Sequence, residues 1–307
     1  MTTNNSATNT TNGLPPLVIM TYGPSGSGKT TDVLYSFSNG LFIASRGALL
    51  PAEHVCGYKP AELDCATIQD ATRTLRELAS KDAKYDAVIV DDFSYLAEKT
   101  FSQIEQKYKR SSNGFAKFGE LSKVALEFRN VARDMNCHVV LNCWEKPPGN
   151  RNGQAVKGGP MLTGKLTQAI PSLCDVVYRC GFEPMRKPWA GIYKCDAKTS
   201  PYIMKDRTHI GTELEKFPMN LAEILRAAGY DISRLKGLEW QEEIVESIAQ
   251  QMVEGGGSKD HQLANEFYQS LLNKGVDFRV ARWTLRDAMD RAVIRRGLMA
   301  AQQSFIA

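Results

Sequence analysis

The stretch "GPSGSGKT", Gly23 to Thr30, constrains this chain more than any other part of it. It fits GxxxxGK[ST] without a mismatch. It follows the short β-rich run "LVIMTY" and precedes "TTDVLYSFS", which reads as a helix. A strand, a glycine loop and a helix in that order form a phosphate cradle. The glycines let backbone N–H groups curl around anionic oxygens, and the helix N-terminus adds a favourable dipole. The expected nucleotide contacts are Gly23, Pro24, Ser25, Gly26, Ser27, Gly28, Lys29, Thr30 and Thr31. Lys29 is expected at the β- and γ-phosphates of ATP, and the Thr30 hydroxyl on Mg²⁺.

The rest of the first two hundred residues supplies a scaffold for that loop. "LFIA" (41–44), "YDAVIVDD", "HVVLNC", "DVVYRC" and "GIYKCD" read as further strands, and Tyr202 to Met204 as the end of a seventh. "ATIQDATRTLRELAS" repeats apolar residues at Ile68, Ala71, Leu75 and Leu78. "ELSKVALEFRNVARDM" does so at Leu121, Val124, Ala125, Phe128, Ala132 and Met135. Alternating strands and helices imply a mainly parallel sheet flanked by helices, an α/β fold. Beyond residue 217 the character turns helical, with a break at "EGGGSKD" (254–260). The expected division is a disordered polar tail at 1–14, a core at 15–216 and a helical C-terminal region at 217–307. Six arginines cluster late in the chain (279, 282, 286, 291, 295, 296), either as an auxiliary DNA surface or as a solvated helix covering the core.

"AVIVDD" ends an apolar strand in two acids. Asp91 is the expected Mg²⁺ partner. Asp92 either orients the attacking water or is a loop acid turned to solvent. The net charge of +4, from 38 basic and 34 acidic residues, permits nucleic-acid binding without arguing for it. The seven cysteines are scattered, with no metal-ligand spacing, and read as reduced buried thiols. No apolar run reaches the ~20 residues that span a bilayer, and the N-terminus lacks a signal-peptide pattern, so a cytoplasmic protein without a membrane partner is expected.

"GPSGSGKT", "VIVDD", "VVLN" with the glycine-rich loop after it, and the late "KDR" (205–207) together resemble the RecA-like ATPases over about residues 15–212. They look most like the phage-encoded versions that keep only the RecA core and act in single-strand annealing and recombination. The resemblance implies a RecA-like core with a small helical C-terminal region, ATP and Mg²⁺ as ligands, single-stranded DNA as partner, a homo-oligomer (filament or ring) and the host cytoplasm.

It also implies two DNA-facing loops. The first is 106–120, with Lys107, Lys109, Arg110 and Lys117 interleaved with Tyr108, Phe115 and Phe118; the alternative is a solvated helix end with the phenylalanines inside. The second is 145–165, long and glycine-rich, with Lys146, Arg151, Lys157 and Lys165, expected to be a mobile segment ordered by phosphates. Asn142 either senses the γ-phosphate or caps a turn. Lys205 and Arg207 share one face of a strand end. They either reach a neighbouring subunit's γ-phosphate as catalytic cations or form a surface turn paired with Asp206 or Asp196.

One departure stands out. Arg46 occupies the place where such proteins carry a catalytic glutamate, leaving Asp92, Glu53 or Glu145 as substitutes. Four readings stay open: a DNA-dependent ATPase that coats or anneals single strands, a ring-forming translocating motor, a nucleotide-gated assembly protein with little hydrolysis, and a small-molecule kinase.

Overall fold

The computed structural model describes residues 13–44, 47–49, 56–81, 85–110, 113, 115–163, 166–182, 191–196, 199–233, 266, 269, 272–273 and 278–306. At its centre is a sheet whose strands run β1 (Val18–Gly23), β2 (Gly40–Ala44), β3 (Ala61–Asp64), β4 (Ala87–Asp91), β5 (His138–Lys146), β8 (Gly159–Pro160), β9 (Val176–Phe182), β10 (Gly191–Lys194), β11 (Lys205–Asp206) and β12 (Lys216–Pro218). The order across the sheet is β12-β10-β9-β1-β5-β4-β2-β3, with β11 on β9 and β8 on β5. The strands from β3 to β9 are parallel; β8, β10, β11 and β12 are antiparallel additions.

The sheet is buried on both faces, which is why its central strands are near-continuous apolar runs. Alternation splits them between two cores. Ile19, Phe42, Ile89 and Val140 face helix α1 (Lys29–Ser36) and α7 (Leu221–Ala227). Met20, Ile43, Val90 and Leu141 face α2 (Ile68–Ser80), α3 (Phe93–Lys107), α4 (Ala116–Arg133) and α5 (Leu166–Leu173). The result is a three-layer α/β/α fold. Helix α6 (Ile210–Leu214) precedes β12, and the long C-terminal helix α8 spans Phe278–Ile306. Ile294 of α8 joins the α1-side core together with Leu221, Ile224 and Leu225, so the C-terminal segment is built into that core.

Local chemistry fixes the helix ends. Thr67 caps α2 by accepting from the Asp70 amide at 3.2 Å. Asn220 caps α7 by accepting from the Glu223 amide at 3.1 Å.

Four sequence expectations need correction. Tyr202–Met204 is not a strand; the strand is Lys205–Asp206, preceded by one bridge between Gly158 and Tyr202. Residues 145–165 are not structureless: β6 (Gly149–Arg151) and β7 (Gln154–Val156) form a hairpin. Its turn holds Asn152 at φ 53° and Gly153 at φ 79°, the left-handed pair a tight hairpin turn requires. Helix α3 intervenes where no helix was read. The late arginines are not all a solvated face: Arg291 is buried, ion-paired with Asp287 at 2.9 Å. The side chains of Arg279 and Arg282, the break at 254–260, and most of the region between residues 234 and 277 lie outside what can be described.

Candidate functional site: the phosphate cleft

The cradle sits at the carboxyl ends of the parallel strands, where α/β sheets bind ligands. β1 delivers the chain to Gly23. A Cβ there would lie 2.7 Å from Cys180 Cβ on β9, so only glycine lets the loop leave this close to its neighbour. Gly26 (φ +76°) and Gly28 (φ +91°) take left-handed conformations that turn the loop into α1. Lys29, almost fully buried, donates to its own loop: to the carbonyls of Gly23 and Pro24, both at 3.0 Å, and to Ser27 Oγ at 3.3 Å. These contacts hold the ammonium at the mouth of the cradle.

β4 carries the acids, with β5 lying between it and β1. Asp91 is 4% exposed, and its Oδ2 has no hydrogen-bond partner. Burial raises its pKa above the usual carboxylate range, opposed by Thr30, Asn142 and Lys29. A buried carboxylate oxygen without a donor is costly. Beside the Thr30 hydroxyl and a lysine, it has the donor set of a magnesium–triphosphate site, and the residues present fit that group.

Asp92 lines the same cleft but caps α3, its Oδ1 accepting from the Tyr95 amide at 3.1 Å. Burial, with the Asp91 charge assisting, pushes its carboxyl up to about 7, while the Tyr95 and Ser94 amides and Lys29 pull the other way. The cleft has a volume of about 430 Å³. Ser25, Gly26, Gly28, Lys29, Thr30 and Thr31 line it together with three residues the sequence reading did not single out: Ala48, Tyr95 and Trp144. Trp144 was findable, since it lies two residues past Asn142 and therefore on the same face of β5.

Other candidates lie elsewhere. Asn142 is wholly buried and accepts from Thr21 Oγ1 at 2.6 Å, so it backs Asp91 instead of lining the cleft. Glu145 is held by Arg179 at 2.7 and 3.1 Å, and Arg179 stacks on Tyr202 with its guanidinium 3.8 Å from the ring centre. Arg46 and Glu53 lie outside the described residues.

Lys205 and Arg207 are not in this cleft. β11 pairs with the first residues of β9, Lys205 opposite Val177, at the other edge of the sheet. That is roughly the 17 Å length of a six-residue strand away. Lys205 Nζ donates to the carbonyls of Ser172 (2.9 Å) and Cys174 (2.6 Å) at the end of α5. Arg207 pairs with Asp175 at 2.8 Å, not with Asp206 or Asp196. Asp206 faces inward and accepts from Tyr178 Oη and the Gly211 amide. Lys205 and Arg207 therefore both anchor the 172–175 segment, while Asp206 anchors Tyr178 and the start of α6.

The remaining cations are at the surface. Lys107 pairs with Glu120 at 2.9 Å and Lys117 with Glu105 at 2.5 Å, while Lys109 and Arg110 are exposed beside them. Phe115 is 83% exposed; Phe118 stacks on Phe101. Lys146 at the end of β5 and Lys157 just past β7 are exposed, flanking the hairpin whose first strand ends at Arg151; the side chains of Arg151 and Lys165 are outside what can be described.

Comparison with known proteins adds the following. Residues 16–208, more than half of the chain, match the sequence model of the family described as AAA domain. No curated protein matches. Among solved structures the chain is similar to the RadB recombinase, with 18% identity, a TM-score of 0.37, and 59% of this chain and 80% of that one covered. It is also similar to a KaiC-like protein from the hyperthermophilic archaeon Pyrococcus horikoshii, with 14% identity, a TM-score of 0.36, and 66% and 87% covered.

Proposed function

We propose that this chain, which belongs to the AAA domain family, binds ATP with Mg²⁺ in its phosphate cradle and uses that bound state to control its hold on single-stranded DNA, as a homo-oligomer in phage recombination or annealing. The carrying observation is the buried, unpartnered Asp91 Oδ2 beside Thr30.

Lys29 exchanges its loop carbonyls for phosphate oxygens, and the backbone N–H groups of the glycine loop donate to the same anion. Magnesium, when bound, neutralises charge on the β- and γ-oxygens, with Thr30 and Asp91 as its protein partners. Asp92 is the best-placed base: a carboxyl raised to about 7 both takes and releases a proton near neutrality. Its Oδ1 is already spent on capping α3, which supports slow turnover.

DNA binding is assigned to two surfaces. Lys107, Lys109, Arg110 and Lys117 flank the exposed Phe115 in sequence, a combination suited to phosphates plus a stacked base. Lys146, Arg151 and Lys157 belong to the segment of the β6–β7 hairpin. The surface ion pairs of Lys107 and Lys117 are weak and yield readily to phosphate. Lys205 and Arg207, held by Ser172, Cys174 and Asp175 at the far end of the strands, would reach a phosphate only in a neighbouring subunit, which suits head-to-tail assembly.

A second reading, a nucleotide-gated assembly protein with little hydrolysis, is favoured by the half-occupied Asp92. ATP turnover with and without single-stranded DNA separates the two. Stimulated turnover supports the first; tight nucleotide binding without turnover supports the second. No binding of ATP at all overturns both.

A further inference from the structure

Asp32 occupies the fourth position of α1, three residues past Lys29, and is 2% exposed. A carboxylate on the core-facing side of this helix is costly unless something holds it. Four elements converge on it. From β10, the Tyr193 hydroxyl donates to Oδ2. From α1 itself, Ser36 Oγ lies 3.5 Å from Oδ1 and accepts in turn from the Ala222 amide of α7 at 3.2 Å. The Leu221 amide of α7 donates to the carboxylate, and Arg286 of α8 is near enough for its charge to favour the ionised form. Arg286 is fixed there by donating to the Met219 carbonyl at 3.3 Å and by Asp290 at 3.5 Å. Tyr193 stacks among Tyr178 and Phe217, so its hydroxyl is rigidly aimed.

We infer that Asp32, Tyr193 and Arg286 form a strut by which the C-terminal helix α8 and strand β10 set the position of the phosphate-cradle helix α1, making them positioning residues for nucleotide binding. The inference rests on the nucleotide-binding reading above. Its physical content is leverage. The Gly28 carbonyl accepts from the Asp32 amide at 2.8 Å, so displacing Asp32 moves the last glycine of the cradle and, one turn back, Lys29. Arg286 lies well beyond the family match, which ends at residue 208. The strut therefore makes a segment outside the shared domain part of the nucleotide site.

The test measures binding of a fluorescent ATP analogue with Mg²⁺ to the full chain, alongside thermal unfolding. Asp32→Asn, Arg286→Met and Tyr193→Phe should each bind about tenfold more weakly. The Asp32→Asn/Arg286→Met double variant should bind no worse than the weaker single one, because both remove the same strut. His138→Asn, a buried change at the opposite end of the parallel strands from the cradle, should lower the unfolding temperature yet leave affinity unchanged, which separates positioning from general loosening. Tyr193→Phe removes only a hydroxyl and keeps the test alive if Asp32→Asn fails to fold. Wild-type affinity in folded Tyr193→Phe and Arg286→Met, or additive losses in the double variant, overturns the strut. Undiminished binding by Lys29→Ala overturns the underlying nucleotide reading instead, independently of the strut.

Discussion

Strand β1 has two ends, and they are treated in opposite ways. At its start two successive backbone amides are answered by side chains from neighbouring strands: Leu17 N–H donates to His138 Nδ1 at 3.1 Å and Val18 N–H to Asp175 Oδ2 at 3.0 Å. Asp175 Oδ1 also accepts from Arg133 at 3.0 Å and Arg207 at 2.8 Å. At its far end the buried acid of the neighbourhood, Asp91, keeps one oxygen without a donor. Asp91 and Asp175 are comparably buried, at 4% and 5% exposure. What separates them is satisfaction. A carboxylate whose acceptor capacity is filled is holding the fold together, whereas one left short is reserved for something that arrives.

The largest expected effect tests the filled end by acid. Burial lowers the His138 pKa from an ordinary 6.5 to about 4. Its neutral form is the one the fold accepts, so its contribution is complete above pH 6.5 and is lost as pH falls towards 4. The difference corresponds to about 3 kcal/mol. Chemical denaturation of wild type and His138→Asn in parallel isolates this residue, because the carboxylates common to both cancel. A constant stability difference across that window would break the comparison at His138.

At the open end, Lys29→Ala should weaken ATP binding about a hundredfold, or roughly 2.7 kcal/mol, without lowering the unfolding temperature. Equal affinity in calorimetric titration would remove the site assignment.

The two acids should then diverge. Asp175→Ala should cost about 2 kcal/mol of stability, mostly for the stranded Val18 amide, since Arg133 and Arg207 are exposed enough for water to replace their partner. Asp91→Asn should change stability by less than about 1 kcal/mol while abolishing the magnesium dependence of ATP binding. Matching stability losses would mean that satisfaction does not distinguish them.

The smallest effect concerns the surface. Replacing Lys107, Lys109 and Arg110 with Ala should reduce the log–log salt slope of single-strand binding by about 2, at roughly 0.7 per phosphate contact. An unchanged slope would shift any DNA contact to the hairpin.

The open end was the legible one. "GPSGSGKT" and "AVIVDD" announce themselves because their partners are backbone and ligand, needing nothing distant in sequence. Strands β1, β2, β4, β5, β9 and β10 were readable as apolar runs, and α2 and α4 as stripes. Helix α3 is hidden in the sequence although Phe93, Ala97, Thr100 and Ile104 recur at helical spacing, because its basic end reads as a loop. β3 carries no signal: "AELD" is exposed at all four positions and is a strand only because β2 offers it an edge. The hairpin was announced by Asn152-Gly153 but masked by its prolines and glycines. The role of "KDR" was out of reach, since Asp175 and the α5 carbonyls lie about thirty residues away, and so was Asp32, whose partner Tyr193 is 161 positions distant.

All seven cysteines are free and buried. Four of them happen to bracket β1. Cys143 and Cys180 stand beside its cradle end, while Cys137 and Cys174 precede the strands that flank its start. Burial pushes Cys137, Cys174 and Cys180 up to about 12 and Cys143 well above its ordinary value, so none offers a thiolate while the fold is closed. Each is thus a built-in clock for local opening. A thiol reagent followed by peptide mass analysis would time the breathing of the two ends separately, with no label added, and would show which end falls quiet first when nucleotide arrives.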